Sequence, residues 1–110
     1  MGLPLLLLWL LRMRSRVRVS GESMEPVLRD GDEILVQTMR SLSPQALEPG
    51  DIVWLQHPLR SDTTLVKRLL RVEPNGFLYV QGDQARASSD SRVFGAVPPS
   101  KLLGRVVARF

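Results

Sequence analysis

Polar and apolar residues alternate with a period of two in several stretches of the chain, which predicts strands. Residues 14–19 (RSRVRV) show this period of two, and residues 33–36 (EILV) follow an Asp-Gly-Asp turn. Residues 51–55 (DIVWL) follow Pro49-Gly50, and residues 64–72 (TLVKRLLRV) form a longer run. Asn75-Gly76 lies between that run and residues 77–81 (FLYVQ), the pairing expected of a hairpin turn between two strands. Residues 102–110 (LLGRVVARF) predict a last strand. The segment 41–50 (SLSPQALEPG) carries two prolines and reads as a connection with room for one helical turn, and residues 82–92 (GDQARASSDSR) read as a polar, turn-rich loop. At 110 residues with no repeat, the sum is one mostly-β domain.

The N-terminus departs from this pattern. Residues 3–11 (LPLLLLWLL) are continuously apolar, about half of the roughly 17–25 residues a spanning helix needs. The basic residues follow the run instead of preceding it, the reverse of a signal peptide. Three readings stay open: the end of a span that starts upstream, an interfacial anchor, or a packing segment. Trp9 beside arginines suits a membrane interface. The expected organisation is an apolar run and basic arm at 1–16 and a folded domain at 17–110.

Charge sharpens that division. The chain holds 15 Lys+Arg and 11 Asp+Glu, a net charge of +4. Arg12, Arg14, Arg16 and Arg18 account for the whole excess, because the first eighteen residues contain no acid. The rest of the chain is neutral, so no basic groove for nucleic acid is expected. Zero cysteines exclude disulfides, thiolate nucleophiles and Cys-based zinc sites, and one histidine cannot build a multi-histidine metal centre. No metal and no cofactor are expected.

Two residues stand out as chemistry. Ser23 sits in VSGESMEPVL between a strand and the Asp-Gly-Asp turn, bracketed by Gly21 and Pro26. A serine on such a bend can expose its hydroxyl while nearby N–H groups face the same point, as an oxyanion hole requires; the plainer alternative is a turn serine. Lys67 lies inside the apolar run LVKRLL. Burial there would disfavour its charged form and make it a usable base for a serine; the alternative is a solvated strand lysine. His57, before Pro58 in a strand-ending loop, is a rival base, with Asp83 or Asp90 as its possible acid.

In order along the chain, VSGESMEPVLRDGDEILV, PGDIVW, LVKRLL and GDQARASSDSRVFGAVP resemble the bacterial type I signal peptidases, Ser/Lys-dyad serine endopeptidases related to the mitochondrial inner-membrane peptidases. The first block is shared with LexA-type self-cleaving repressor domains; the last is particular to the peptidases. The resemblance implies a signal-peptidase-like or LexA-like catalytic β-domain lacking the large accessory domain. It implies Ser23 as nucleophile, Lys67 as general base and Ser88 as the serine that orients the lysine. Met24 and Pro26 then shape the substrate site, Asp90 and Arg92 form a bracing pair, and Gly82 and Asp83 open that last block.

The chain also departs from the pattern. Gly21 stands where the family often has an oxyanion serine, leaving the Ser23 backbone N–H as the implied donor and Ser20 as a candidate helper, and GDNR is replaced by GDQA at 82–85. The trimming is similar to the small nickel-type superoxide dismutase maturation proteases. The resemblance implies a partner in the form of a leader-bearing precursor, the nickel superoxide dismutase precursor among the candidates. It also implies contact with the cytoplasmic membrane, a cytoplasmic location being the alternative. A general signal peptidase or a LexA-type regulatory domain are the alternative functions.

Overall fold

The computed structural model describes residues 14–39, 42–84, 86 and 89–110. Six strands form one antiparallel sheet: β1 (Arg14–Arg18), β2 (Glu33–Thr38), β3 (Ile52–Gln56), β4 (Thr64–Val72), β5 (Leu78–Gln81) and β6 (Leu102–Arg109). Their spatial order is β1-β2-β6-β3-β4-β5. The fold is thus mostly β, as the alternation predicts. β1 begins at Arg14, so Arg14 and Arg16 belong to the sheet as well as to the basic stretch. The apolar run at 3–11 lies outside the described residues.

Alternation along the strands supplies two cores on opposite faces. In β3, Val53 and Leu55 enter a core with Leu69, Val80 and Val97, while Ile52 and Trp54 pack on a second core of Val19, Met24, Leu28, Ile34 and Val36. Each fully buried aliphatic side chain contributes about 1.5–3 kcal/mol. Met24 and Leu28, 1% and 3% exposed, therefore tie the Ser23 segment firmly to the sheet. That segment is also closed by backbone bonds: Val19 N–H donates to Asp32 at 2.7 Å and Gly31 N–H donates to Val19 at 2.8 Å. Gly21, at φ +87°, occupies the left-handed region that glycine tolerates, and its N–H donates to Asp30 Oδ1 at 2.8 Å. The Asp-Gly-Asp turn thus clasps the bend before Ser23.

The Asn75-Gly76 hairpin forms as expected. Gly76 N–H donates to Glu73, Glu73 N–H donates to Phe77, and Asn75 Oδ1 accepts from Phe77 N–H at 3.0 Å. In the connection 41–50, Pro44–Ala46 makes a single 3-10 turn. The loop expected over 82–92 is corrected at its end, where a one-turn helix, α1 (Ser91–Phe94), starts. Its cap is Asp90, whose Oδ1 accepts from Arg92 N–H at 3.1 Å. A single turn is too short to show helical periodicity, so only the cap chemistry could have revealed it.

Strand lengths leave one stretch of edge open. β3 pairs with β4 from Thr64 to Arg68, whereas β5 pairs with β4 only from Arg68 to Val72. Among the described residues, no strand covers the outer edge of Thr64–Lys67. Register shifts interrupt pairing at Leu35/Val36, Trp54/Leu55 and Leu69/Arg71, and such irregularities bend strands.

Candidate active site

Ser23 and Lys67 line the same cleft, of about 230 Å³. One wall comes from the end of β1 and the bend after it, with Val17, Arg18, Ser20, Gly21, Glu22 and Ser23; the facing wall is the open stretch of β4 from Thr64 to Lys67, and Ser89 closes a side. Two segments more than forty residues apart in sequence therefore meet at one serine and one lysine. Ser23 is half-buried, and its neighbour Met24 is locked in the core beneath it. Pro26 is exposed and follows a cis peptide bond from Glu25.

Lys67 is only 3% exposed, facing the side of β4 that also carries the buried Leu69. Burial lowers its pKa below the ordinary lysine value; the negative charge of Asp90 opposes this, and the positive charge of Arg92 adds to it. The solvated-lysine alternative therefore does not describe this position. A buried amine held towards its neutral form is the species that can accept a proton from a serine hydroxyl.

The last block braces this arrangement. Asp90 is fully buried and accepts hydrogen bonds from Gly82 N–H at 2.9 Å, from Arg92 N–H, and from the Arg92 guanidinium at 3.0 and 2.5 Å. Ser91 Oγ accepts from Val80 N–H at 2.9 Å, so that hydroxyl is engaged in holding β5. Gln84 N–H donates to the carbonyl of Ser23 at 2.7 Å, joining the block directly to the serine's own backbone. Ser88 lies outside the described residues. Ser20 is placed on the cleft wall, and Gly21 contributes its bend.

One structural partner escaped the sequence reading. Arg68 forms a bidentate pair with Asp83, both contacts at 2.8 Å, and donates to the carbonyl of Gly50 at 2.8 Å. Arg68 follows Lys67 on β4, and Asp83 precedes Gln84, so this fork links the lysine strand to the residue that holds Ser23. The signal was an arginine beside the lysine in LVKRLL and an acid in GDQA, with nothing local to pair them.

His57 is occupied elsewhere. Its Nδ1 accepts from Leu59 N–H at 3.0 Å, and its ring packs on Phe94 at 5.2 Å. Burial, then Arg60 and Lys67, push its pKa down. Asp83 and Asp90, the acids weighed for it, are both bound to arginines. The described residues contain no group of His, Asp and Glu able to hold a metal ion.

A buried lysine and a half-buried serine thus share one cleft on a small antiparallel β-domain, and the sequence comparison names the family with this fold. The chain belongs to the signal peptidase family, peptidase S26, whose family model matches residues 1–73 and 71–110. Its relatives include the mitochondrial ATP-independent inner membrane protease subunit 1b of Arabidopsis thaliana, 33% identical over 81% of this chain, and the mitochondrial inner membrane protease subunit 1 of Mus musculus, 27% identical over 82%. Subunit 2 of that protease from Danio rerio is 28% identical over 86% of the chain. The chain spans about 65% of the length of the first two relatives and 62% of the third.

Proposed function

We propose that this protein is a serine endopeptidase that removes N-terminal leaders from precursor proteins, with Ser23 as nucleophile and Lys67 as general base. The observation that carries the reading is the shared cleft of Ser23 and a buried lysine whose pKa is lowered. Neutral Lys67 takes the Ser23 proton as Oγ bonds to the scissile carbonyl carbon. The Ser23 backbone N–H stabilises the resulting oxyanion, with Ser20 the candidate for a second donor. The Lys67 ammonium then protonates the departing amine; neutral again, Lys67 deprotonates the water that attacks the acyl-enzyme and returns that proton to Ser23 Oγ as the ester bond breaks. Ser88 is assigned the role of orienting the lysine, while Asp90, Arg92, Gly82 and Asp83 hold the frame; Met24 and Pro26 shape the substrate side. The open edge of β4 from Thr64 to Lys67 offers backbone groups to an extended substrate. No cofactor takes part.

The working location in this reading is a membrane surface. The relatives carry "inner membrane protease" in their names, and the apolar run at 3–11 precedes four arginines suited to anionic headgroups. Among the described residues no helix is long and apolar enough to cross a membrane. The proposed organisation assigns 1–16 to membrane contact and 17–110 to catalysis, and the cytoplasmic membrane and the nickel superoxide dismutase precursor are its most specific forms.

Incubation of the purified chain with a panel of leader-bearing precursors, the nickel enzyme's among them, tests this. The new N-termini are read by sequencing. Cleavage at one bond, abolished by Ser23→Ala and by Lys67→Met, is the expected result; full activity in either variant sinks the dyad.

A further inference from the structure

We propose that Arg18 makes the cleft selective for precursors bearing an acidic side chain close to the scissile bond. The inference rests on the protease reading above and names the substrate class it favours. Arg18 lies at the end of the edge strand β1 and lines the cleft that holds Ser23 and Lys67. Its side chain is 74% exposed. The nearest carboxylate, Glu33, stands 3.9 Å away, beyond hydrogen-bond distance. Glu33 is already engaged by Arg16, whose Nε donates to Oε2 at 2.6 Å and whose Nη2 is closer still. The Arg18 guanidinium therefore keeps donors turned to solvent at the rim of the site.

The other charges on the cleft give the rim a direction. Lys67 is buried and held towards neutrality, and Glu22 sits on the bend next to Ser23. The β1 wall is thus basic and the bend acidic. An extended peptide lying along the open edge of Thr64–Lys67 lines up against both the basic and the acidic part of that wall. A carboxylate opposite Arg18 meets a planar fork that matches its geometry, whereas a lysine there is repelled. Ion pairs in such exposed positions are weak, so the selectivity is a preference of about three- to fivefold and not an absolute requirement.

The experiment uses one cleavable leader peptide in which Asp, Asn or Lys replaces each residue in turn around the cut. Turnover is read as kcat/KM for the full chain and for Arg18→Glu. In parallel, fluorescence anisotropy reads the affinity of the same peptides for Ser23→Ala. At one position Asp should exceed Lys by about three- to fivefold. The ratio should shrink at high salt, as screening requires, and invert in Arg18→Glu. Equal ratios at every position, or a preference that Arg18→Glu leaves unchanged, overturn the inference. Charge-selective binding to Ser23→Ala without turnover in the full chain would instead overturn the protease reading and leave Arg18's role standing.

Discussion

The amide of Gln84 is hydrogen-bonded to the carbonyl of Ser23 at 2.7 Å, so the loop after β5 is joined directly to the bend after β1. Asp83, the residue before Gln84, is gripped by the fork of Arg68, which in turn neighbours Lys67. The lysine and the serine are therefore registered against each other through the Arg68 and Asp83 side chains and one backbone hydrogen bond. Replacing Arg68 with Lys keeps the charge and loses the fork. kcat should fall about tenfold with KM little changed, because small displacements of reacting groups are costly. The pH profile should keep its position, which separates a positioning effect from an altered base.

The pH dependence follows from the buried amine. In the proposed mechanism Lys67 acts as a neutral amine, and burial lowers its pKa from the ordinary lysine value of 10.5. kcat/KM should therefore rise with pH along a limb that lies below the ordinary lysine range. Asp90 raises the Lys67 pKa through its negative charge. Asp90→Asn should move the limb to lower pH, and a profile that stays put or moves upward would contradict this account.

Stability carries the same signature with a definite sign. The folded-state pKa of Lys67 lies below its unfolded value, so the unfolded chain binds more protons between the two. The destabilisation is fully present below the folded pKa and is relieved as pH rises towards 10.5. Lys67→Met should thus be more stable than the natural chain at neutral pH, with the gap narrowing at alkaline pH. Urea denaturation of both proteins at two pH values measures it.

Gly104 marks where strands come too close for any side chain. A Cβ there would stand 2.4 Å from the Gln37 carbonyl oxygen and 2.4 Å from Val36 Cγ1. One contact is backbone, so the clash cannot be relieved by a rotamer. Gly104→Ala should destabilise by about 1–3 kcal/mol or more, seen as a lowered melting temperature.

His57 should prove dispensable for the chemistry. Its Nδ1 accepts from Leu59 N–H, and Asp83 and Asp90 are bound to arginines. His57→Ala should retain kcat/KM within about threefold; a loss as large as that in Ser23→Ala would restore the histidine as base.

Sequence made some of this legible and left some hidden. The strands could be read because half-buried strands alternate, and the Asn75-Gly76 and Asp-Gly-Asp turns punctuate them. The insertion of β6 between β2 and β3 could not be read, since no local pattern chooses strand partners. The burial of Lys67 was only an option in the run LVKRLL; it became definite once β3 and the last block enclosed it. Likewise, Asp90 capping α1 and Arg68 gripping Asp83 depend on contacts that the linear order does not announce.

The order of strands has one more consequence. β1 and β4 stand apart in the sheet, separated by β2, β6 and β3, yet residues of both line one cleft. The sheet must curl for these strands to meet, and the register shifts at Leu35/Val36 and Trp54/Leu55 lie on the path between them. The gap between Ser23 and Lys67 is accordingly a dimension of the whole rolled sheet, like the slit of a split cylinder. Packing changes at those distant irregularities would widen or pinch the slit without touching either residue.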